Sequence, residues 1–261
     1  MPGGCGGVPE VRVAAVQHDI CWEDRDATLA RLEPIVQDTD ADLVVLPELF
    51  AVGFTMDTAL VAEAPDGPTT AWLREQATFS DRWIGGSVPI VLDGADRPSN
   101  VFTLASPDGE VHRYAKRHPF SYAGEHEHYA PGNDRITVDI AGARVSPFVC
   151  YDLRFANAFW PIAERTDVYL VVASWPSPRR HHWRTLLWAR AIENQAYVVG
   201  VNRVGSGGGL DYSGDSCIID PMGEVLVSAA NVETVLTADL DAAYVAKVRA
   251  DLPFMADRRD D

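Results

Sequence analysis

Apolar and polar positions along the chain fall into two alternating rhythms. Short apolar or strictly alternating runs mark strands, and stretches with apolar residues every three or four positions mark helices. Residues 11–17 read as a first strand, and residues 24–37 as a helix with Leu29, Leu32 and Val36 on one face. Residues 43–46 are wholly apolar, the pattern of a strand covered on both faces, and run into Pro47-Glu48. Gly67-Pro68 opens a helix to about Phe79, and residues 83–89 form the next strand. Residues 100–105 and 111–115 read as a hairpin, since Asp108-Gly109 between them is a strong turn signal. Residues 117–134 show no clean period and carry His118, His126 and His128; they read as a long loop, a place where function concentrates. Residues 136–140 and 143–149 form a second hairpin about Gly142.

The rhythm continues beyond it. Phe155, Phe159, Ile162 and Ala163 fall near one face and predict a helix over residues 155–165. Residues 167–173 read as a strand, and residues 180–194 as a helix aligned on Trp183, Leu187 and Ala191. Strands follow at residues 197–202, 215–220, 225–228 and 235–240, then a helix over residues 242–250. The glycines of residues 205–209 lack the Lys-Ser/Thr and the helix that complete a phosphate cradle, and read as a flexible loop. Alternating strands and helices with inserted hairpins predict an α/β fold whose helices cover sheet faces. One domain is expected over residues 8–256, with residues 1–7 and 257–261 as loose tails.

Composition narrows the partners. The 261 residues are 47% hydrophobic and 23% charged, an ordinary globular mixture, and no apolar run is long enough for a transmembrane helix. A net charge of −16 argues against nucleic acid or an anionic membrane as partner, but leaves room for an anionic small molecule in a locally positive pocket. Cys5, Cys21, Cys150 and Cys217 are far apart and form no CxxC pair, so a reduced, cytoplasmic chain is expected. The histidine pairs His126/His128 and His181/His182 are not set with them in a ligand pattern, and no metal is expected.

Three reactive residues each follow a strand. Cys150 sits at a strand-to-helix turn, where exposed backbone N–H groups and a helix dipole would favour thiolate and receive a developing oxyanion. The plainer alternative is an inert buried thiol, the usual state of a lone cysteine. Glu48 has apolar residues on both sides, which suggests burial and a raised pKa suited to a general base; otherwise it is a solvated strand cap. Lys116 follows residues 111–115, and its ordinary reading is a solvated surface lysine.

Leu46-Pro47-Glu48, Tyr114-Ala115-Lys116-Arg117-His118 and Cys150-Tyr151-Asp152-Leu153-Arg154-Phe155, in that order, resemble the three signatures of the nitrilase superfamily, the carbon–nitrogen hydrolases. The resemblance implies a four-layer α-β-β-α sandwich of mixed sheets and a Glu48–Lys116–Cys150 catalytic triad. It also implies an assisting glutamate before Pro131-Gly132, for which the family spacing selects Glu125, with Glu127 as the alternative. Ser174-Trp175-Pro176, Ala189-Arg190-Ala191-Ile192-Glu193-Asn194-Gln195 and Gly200-Val201-Asn202-Arg203 look more narrowly like the bacterial ω-amidase branch, which acts on monoamides of short dicarboxylic keto acids such as 2-oxoglutaramate. Ala156-Asn157 departs from relatives that carry proline there, in the turn under the pocket.

The chemistry so implied is hydrolysis through a Cys150 thioester. Glu48 acts as base, Lys116 and the Tyr151 backbone N–H hold the oxyanion, Glu125 orients Lys116 and substrate, and no cofactor is required. Arg154 is the candidate anchor for the distal carboxylate, with Arg179 and Arg180 behind it; its alternative is an ion pair with Asp152 or Glu193. Trp175 and Phe54 are candidate pocket walls or core residues. The resemblance also implies a homodimer or larger homo-oligomer. An N-carbamoyl amino acid amidase, an aliphatic amidase and a catalytically silent scaffold of the same fold are the rival readings.

Overall fold

The computed structural model describes residues 10–259; the N-terminal tail expected at residues 1–7, and Cys5 in it, lie outside the described residues. The strands are β1 (Glu10–Gln17), β2 (Leu43–Val45), β3 (Trp83–Ile90), β4 (Ser99–Ala105), β5 (Val111–Ala115), β6 (Val138–Ile140), β7 (Ala143–Val149), β8 (Val168–Ala173), β9 (Tyr197–Asn202), β10 (Val204–Gly207), β11 (Leu210–Ile219), β12 (Val225–Ala230) and β13 (Thr234–Asp241). The helices are α1 (Arg25–Asp38), α2 (Thr58–Val61), α3 (Pro68–Ser80), α4 (Glu125–His128), α5 (Ala156–Phe159), α6 (Arg180–Asn194) and α7 (Ala242–Asp251).

Two mixed sheets stack face to face. One runs β13-β1-β2-β3-β4-β5, the other β10-β11-β9-β8-β7-β6 with β12 beside β11. Each has a parallel centre, β1-β2-β3 and β7-β8-β9, flanked by antiparallel strands. Side-chain alternation divides the first sheet cleanly. Val13, Ala15, Leu43 and Val45 face the second sheet, whereas Ala14, Val16 and Val44 pack with Leu29, Leu32 and Val36 of α1 and Leu73 and Ala77 of α3. On the far side α6 lies so close to β9 that a Cβ at Gly200 would come within 2.5 Å of Leu187. Helix, sheet, sheet, helix is the four-layer sandwich expected from the motifs.

Three expectations need correction. The helix over residues 155–165 is broken into the single turn α5 and a 3-10 turn (Trp160–Arg165), and a separate 3-10 turn (Cys150–Arg154) precedes it. Pro161 has no N–H to give the Asn157 carbonyl, which instead accepts from Arg135 at 3.1 Å. Residues 205–209 belong to a tight β10–β11 hairpin packed on Trp22, with a Cβ at Gly207 only 2.5 Å from that ring. The loop tail expected from residue 257 is held as far as Arg258, whose guanidinium lies 3.7 Å from the Trp160 ring centroid and donates to the Glu193 carbonyl at 2.8 Å.

Candidate active site

The parallel centres bring the carboxyl ends of β2, β7 and β8 to one edge, and β5 runs in the same direction as β3. Glu48, Lys116, Cys150 and Ser174 each lie just beyond one of these ends. Glu48 is fully buried. Its Oε1 accepts from Lys116 Nζ and from Asn100 Nδ2, both at 2.8 Å, and its Oε2 accepts from the Ser174 backbone N–H at 2.8 Å.

Lys116 is 1% exposed and its Nζ also contacts both oxygens of Glu125, at 2.9 and 2.8 Å. The long loop delivers Glu125. It contains a 3-10 turn and the single turn α4, which Glu125 opens, and it is pinned to β5 at Gly132, whose N–H reaches the Lys116 carbonyl at 2.8 Å. A Cβ at Gly132 would sit 2.3 Å from the Ala115 carbonyl, so the Pro131-Gly132 step permits this approach. Of the two candidate glutamates, Glu125 is buried and Glu127 is exposed.

Cys150 takes a left-handed φ of +46°, a strained backbone for a residue with a Cβ, and it lines the pocket. Asp152 clamps this elbow. Its Oδ2 accepts from the Val149 N–H at 3.2 Å and from the Tyr114 hydroxyl at 2.8 Å, while its Oδ1 takes the His118 N–H at 2.9 Å and His118 Nδ1 at 2.7 Å. The thiol turn and the lysine-bearing strand are thereby tied to one buried carboxylate. Arg190 of α6 holds the turn from behind, donating to the Leu153 carbonyl at 2.7 and 3.2 Å.

Electrostatics reverse one expectation. Burial pushes the Cys150 thiol well above its ordinary range and the Glu48 charge adds to this, outweighing Lys116. No regular helix begins at Cys150, so the dipole expected to favour thiolate is missing; the resting group is a thiol. For Lys116, burial disfavours the charged form, yet Glu125 and Glu48 outweigh it and the ammonium persists far up the pH scale. Burial raises Glu125, with Lys116 opposing.

A pocket open to solvent lies over Cys150. Phe54, Trp175, Phe120 and Tyr212 wall it, with Tyr151 beside Cys150. Arg154 and Arg179 also line it. Arg154 stacks 4.7 Å from the Trp175 ring centroid, lies 5.9 Å from that of Tyr151 and meets His182 at 3.3 Å; Asp152 is committed to the elbow and Glu193 to Arg190, so the ion pairs considered for Arg154 do not form. Arg179 lies over Phe120 at 5.5 Å. Arg180 is withdrawn onto Asp215 at 2.6 Å. Ala156 and Asn157 are exposed and do not line the pocket. Among the described residues no group of three or more His, Cys, Asp or Glu side chains is arranged for a metal ion.

Sequence reasoning missed Asn100, Ser174 and Asp152 as parts of the site. Asp152 carried a signal, an acidic residue at the third position of the turn. Asn100 carried none, and Ser174 acts through its backbone N–H.

The carbon-nitrogen hydrolase family model matches residues 12–250, and the chain belongs to that family. It is a hydrolase of carbon–nitrogen bonds other than peptide bonds. It is 41% identical over 257 residues to the omega-amidase YafV of Escherichia coli, covering 96% of this chain and 97% of the relative. It is 31% identical over 256 residues to the 2-oxoglutaramate amidase of Bacillus subtilis, covering 95% and 98%. The crystal structure of XC1258 from Xanthomonas campestris, a CN-hydrolase superfamily protein with an arsenic adduct in its active site, superposes with a TM-score of 0.91 at 39% identity, covering 97% of this chain and 98% of that one.

Proposed function

We propose that the protein hydrolyses the terminal amide of a short dicarboxylic keto-acid monoamide, 2-oxoglutaramate or a close homologue, to acid and ammonia through a Cys150 thioester. The observation that carries the reading is the pairing of a buried carboxylate–ammonium–carboxylate cluster beside Cys150 with two arginines, Arg154 and Arg179, that line the same pocket and have no acidic partner among the described residues. The names of the two curated relatives support the same substrate class.

Glu48 takes the proton from Cys150 as the sulfur bonds to the amide carbon and the carbonyl electrons move to oxygen. Lys116 and the Tyr151 backbone N–H stabilise that oxyanion. On collapse the C–N bond breaks, and Glu48 returns its proton to the departing nitrogen, which leaves as ammonia. A water then attacks the thioester while Glu48 takes its proton; the second collapse expels the sulfur, which is reprotonated from Glu48. A thiol at rest suits this order, because a thiolate beside two carboxylates and one ammonium would leave the buried site with a charge of about −2. Arg154 and Arg179 receive the distal carboxylate, and Trp175 and Phe54 hold the short chain between.

The free thiols of Cys21, Cys150 and Cys217 favour a reducing, cytoplasmic setting, and we infer a homo-oligomer that sedimentation would size. The decisive assay is ammonia release from 2-oxoglutaramate beside glutamine, asparagine and an N-carbamoyl amino acid, with Cys150→Ala as blank. Preferential, Cys150-dependent turnover of the keto-acid amide is expected. Carbon dioxide released with ammonia from the carbamoyl substrate, at a higher rate, would overturn the substrate class.

A further inference from the structure

Asn100 lies on β4, opposite Pro89 of β3, and is 1% exposed. Its carbonyl accepts the Lys116 N–H at 2.8 Å. Its side-chain Nδ2 reaches Glu48 Oε1 at 2.8 Å and Glu125 Oε1 at 3.2 Å. Lys116 Nζ and Asn100 Nδ2 therefore both bridge the same two carboxylates. Among the described residues no protein group donates to the buried amide oxygen of Asn100. The NH2 group faces both glutamates, which is the orientation two carboxylates require, because the amide oxygen turned toward them would be repelled.

Charge gives this a purpose. One ammonium cannot neutralise two buried carboxylates, and the excess negative charge invites a proton onto one of them. A glutamate that has taken that proton cannot accept another from the thiol. Asn100 supplies two N–H donors and no charge. We propose that Asn100 is a positioning residue that keeps Glu48 and Glu125 ionised side by side, so that Glu48 meets the Cys150 thiol as a base. The inference rests on the reading of Glu48 as the base. The charged and titratable groups facing the pair are Lys116 from the end of β5, Cys150 from the elbow, Tyr129 after α4 and Tyr212 on β11. Burial raises both tyrosines above their ordinary range, so neither ionises near neutral pH.

The test is the pH dependence of kcat/KM for 2-oxoglutaramate in the wild type, Asn100→Leu and Asn100→Asp. Loss of a donor to a carboxylate favours its protonated form, so in Asn100→Leu the acid limb should move up by about one pH unit. Turnover at pH 7 should fall by at most about tenfold, the most a one-unit displacement of the limb can remove, with KM changed less than about threefold, since Asn100 does not line the pocket. Asn100→Asp keeps the shape. Its carboxyl donates while protonated and adds a third negative charge once ionised, so activity should recover toward acidic pH and fall away on the alkaline side. An acid limb at the wild-type position in Asn100→Leu, or an Asn100→Asp profile without the alkaline loss, would overturn the inference. Should Asn100→Leu fail to fold, an Asn100→Asp profile parallel to the wild type does so alone. Glu48→Gln run alongside separates the two failures: if it keeps wild-type turnover, the base itself is misassigned; if it loses turnover while the Asn100 variants keep the wild-type limb, only the role of Asn100 falls.

Discussion

Two buried thiols lie at opposite ends of one sheet's logic. Cys217 sits within β11, in register with Gly200 of β9 and Ser228 of β12, on ordinary strand backbone. Cys150 sits one residue past β7, on a left-handed turn, with Glu48 and Lys116 beside it. Burial pushes Cys217 up to about 12 and Cys150 well above the usual range as well. Burial alone therefore makes both thiols inert. The difference lies in what surrounds them: a carboxylate able to take the proton, an ammonium able to hold the resulting charge, and a backbone turn that aims sulfur at a pocket. On the proposed mechanism, the reactive cysteine is the one whose proton has somewhere to go, rather than one already deprotonated.

The comparison breaks most directly with the cysteines themselves. Cys150→Ala should lower kcat/KM by about 10³-fold or more, while Cys217→Ala should stay within about twofold. Comparable losses in both, measured by ammonia release, would erase the distinction.

Glu48→Gln should cost on the order of 10²- to 10³-fold in turnover. It should also shift the iodoacetamide alkylation of Cys150 in the opposite sense. After burial, the Glu48 negative charge is the next cause raising that thiol, so removing it lets the thiolate form at lower pH. The midpoint of the alkylation rate should fall even as catalysis is lost. An unmoved midpoint would mean that Glu48 does not face the sulfur.

The pocket arginines sharpen the contrast further, because Cys217 has no substrate to orient. Arg154→Met or Arg179→Met should each raise KM for the acid amide about tenfold and leave KM for a neutral amide within about twofold. Equal effects on both substrates would remove the carboxylate-anchor role. The smallest effect belongs to Cys217→Ser. A hydroxyl placed in that apolar setting should lower stability by about 1–2 kcal/mol, read as a lower Tm, with turnover unchanged.

Much of this was legible in the chain. Glu48 and Cys150 stand just after apolar runs, which become strands whose ends a parallel centre aligns, and Lys116 follows the second strand of a hairpin. Glu125 was singled out by the resemblance to the nitrilase superfamily, with Glu127 as the alternative. What stayed hidden has physical reasons. Asn100 is 52 residues from Glu48 and 25 from Glu125, and a single asparagine in a strand has no pattern to read. Ser174 meets Glu48 from 126 residues away through a backbone N–H, which every residue but proline possesses. The helix expected over residues 155–165 followed the spacing of its apolar side chains, but the missing N–H of Pro161 decided the hydrogen bonding. The glycines after Val204 read as a flexible loop because nothing local announces that Trp22 will pack against them.

The sequence by itself determined most of the strands and longer helices and marked the candidate reactive side chains, because periodicity and motif are properties of near neighbours. Only the tertiary structure decided the protonation of the thiol, the commitment of Arg180 to Asp215 and the freedom of Arg154, and the sharing of Glu48 and Glu125 by two donors. Each of these depends on distances of about 3 Å between groups far apart in the chain, and on burial that removes water from around them.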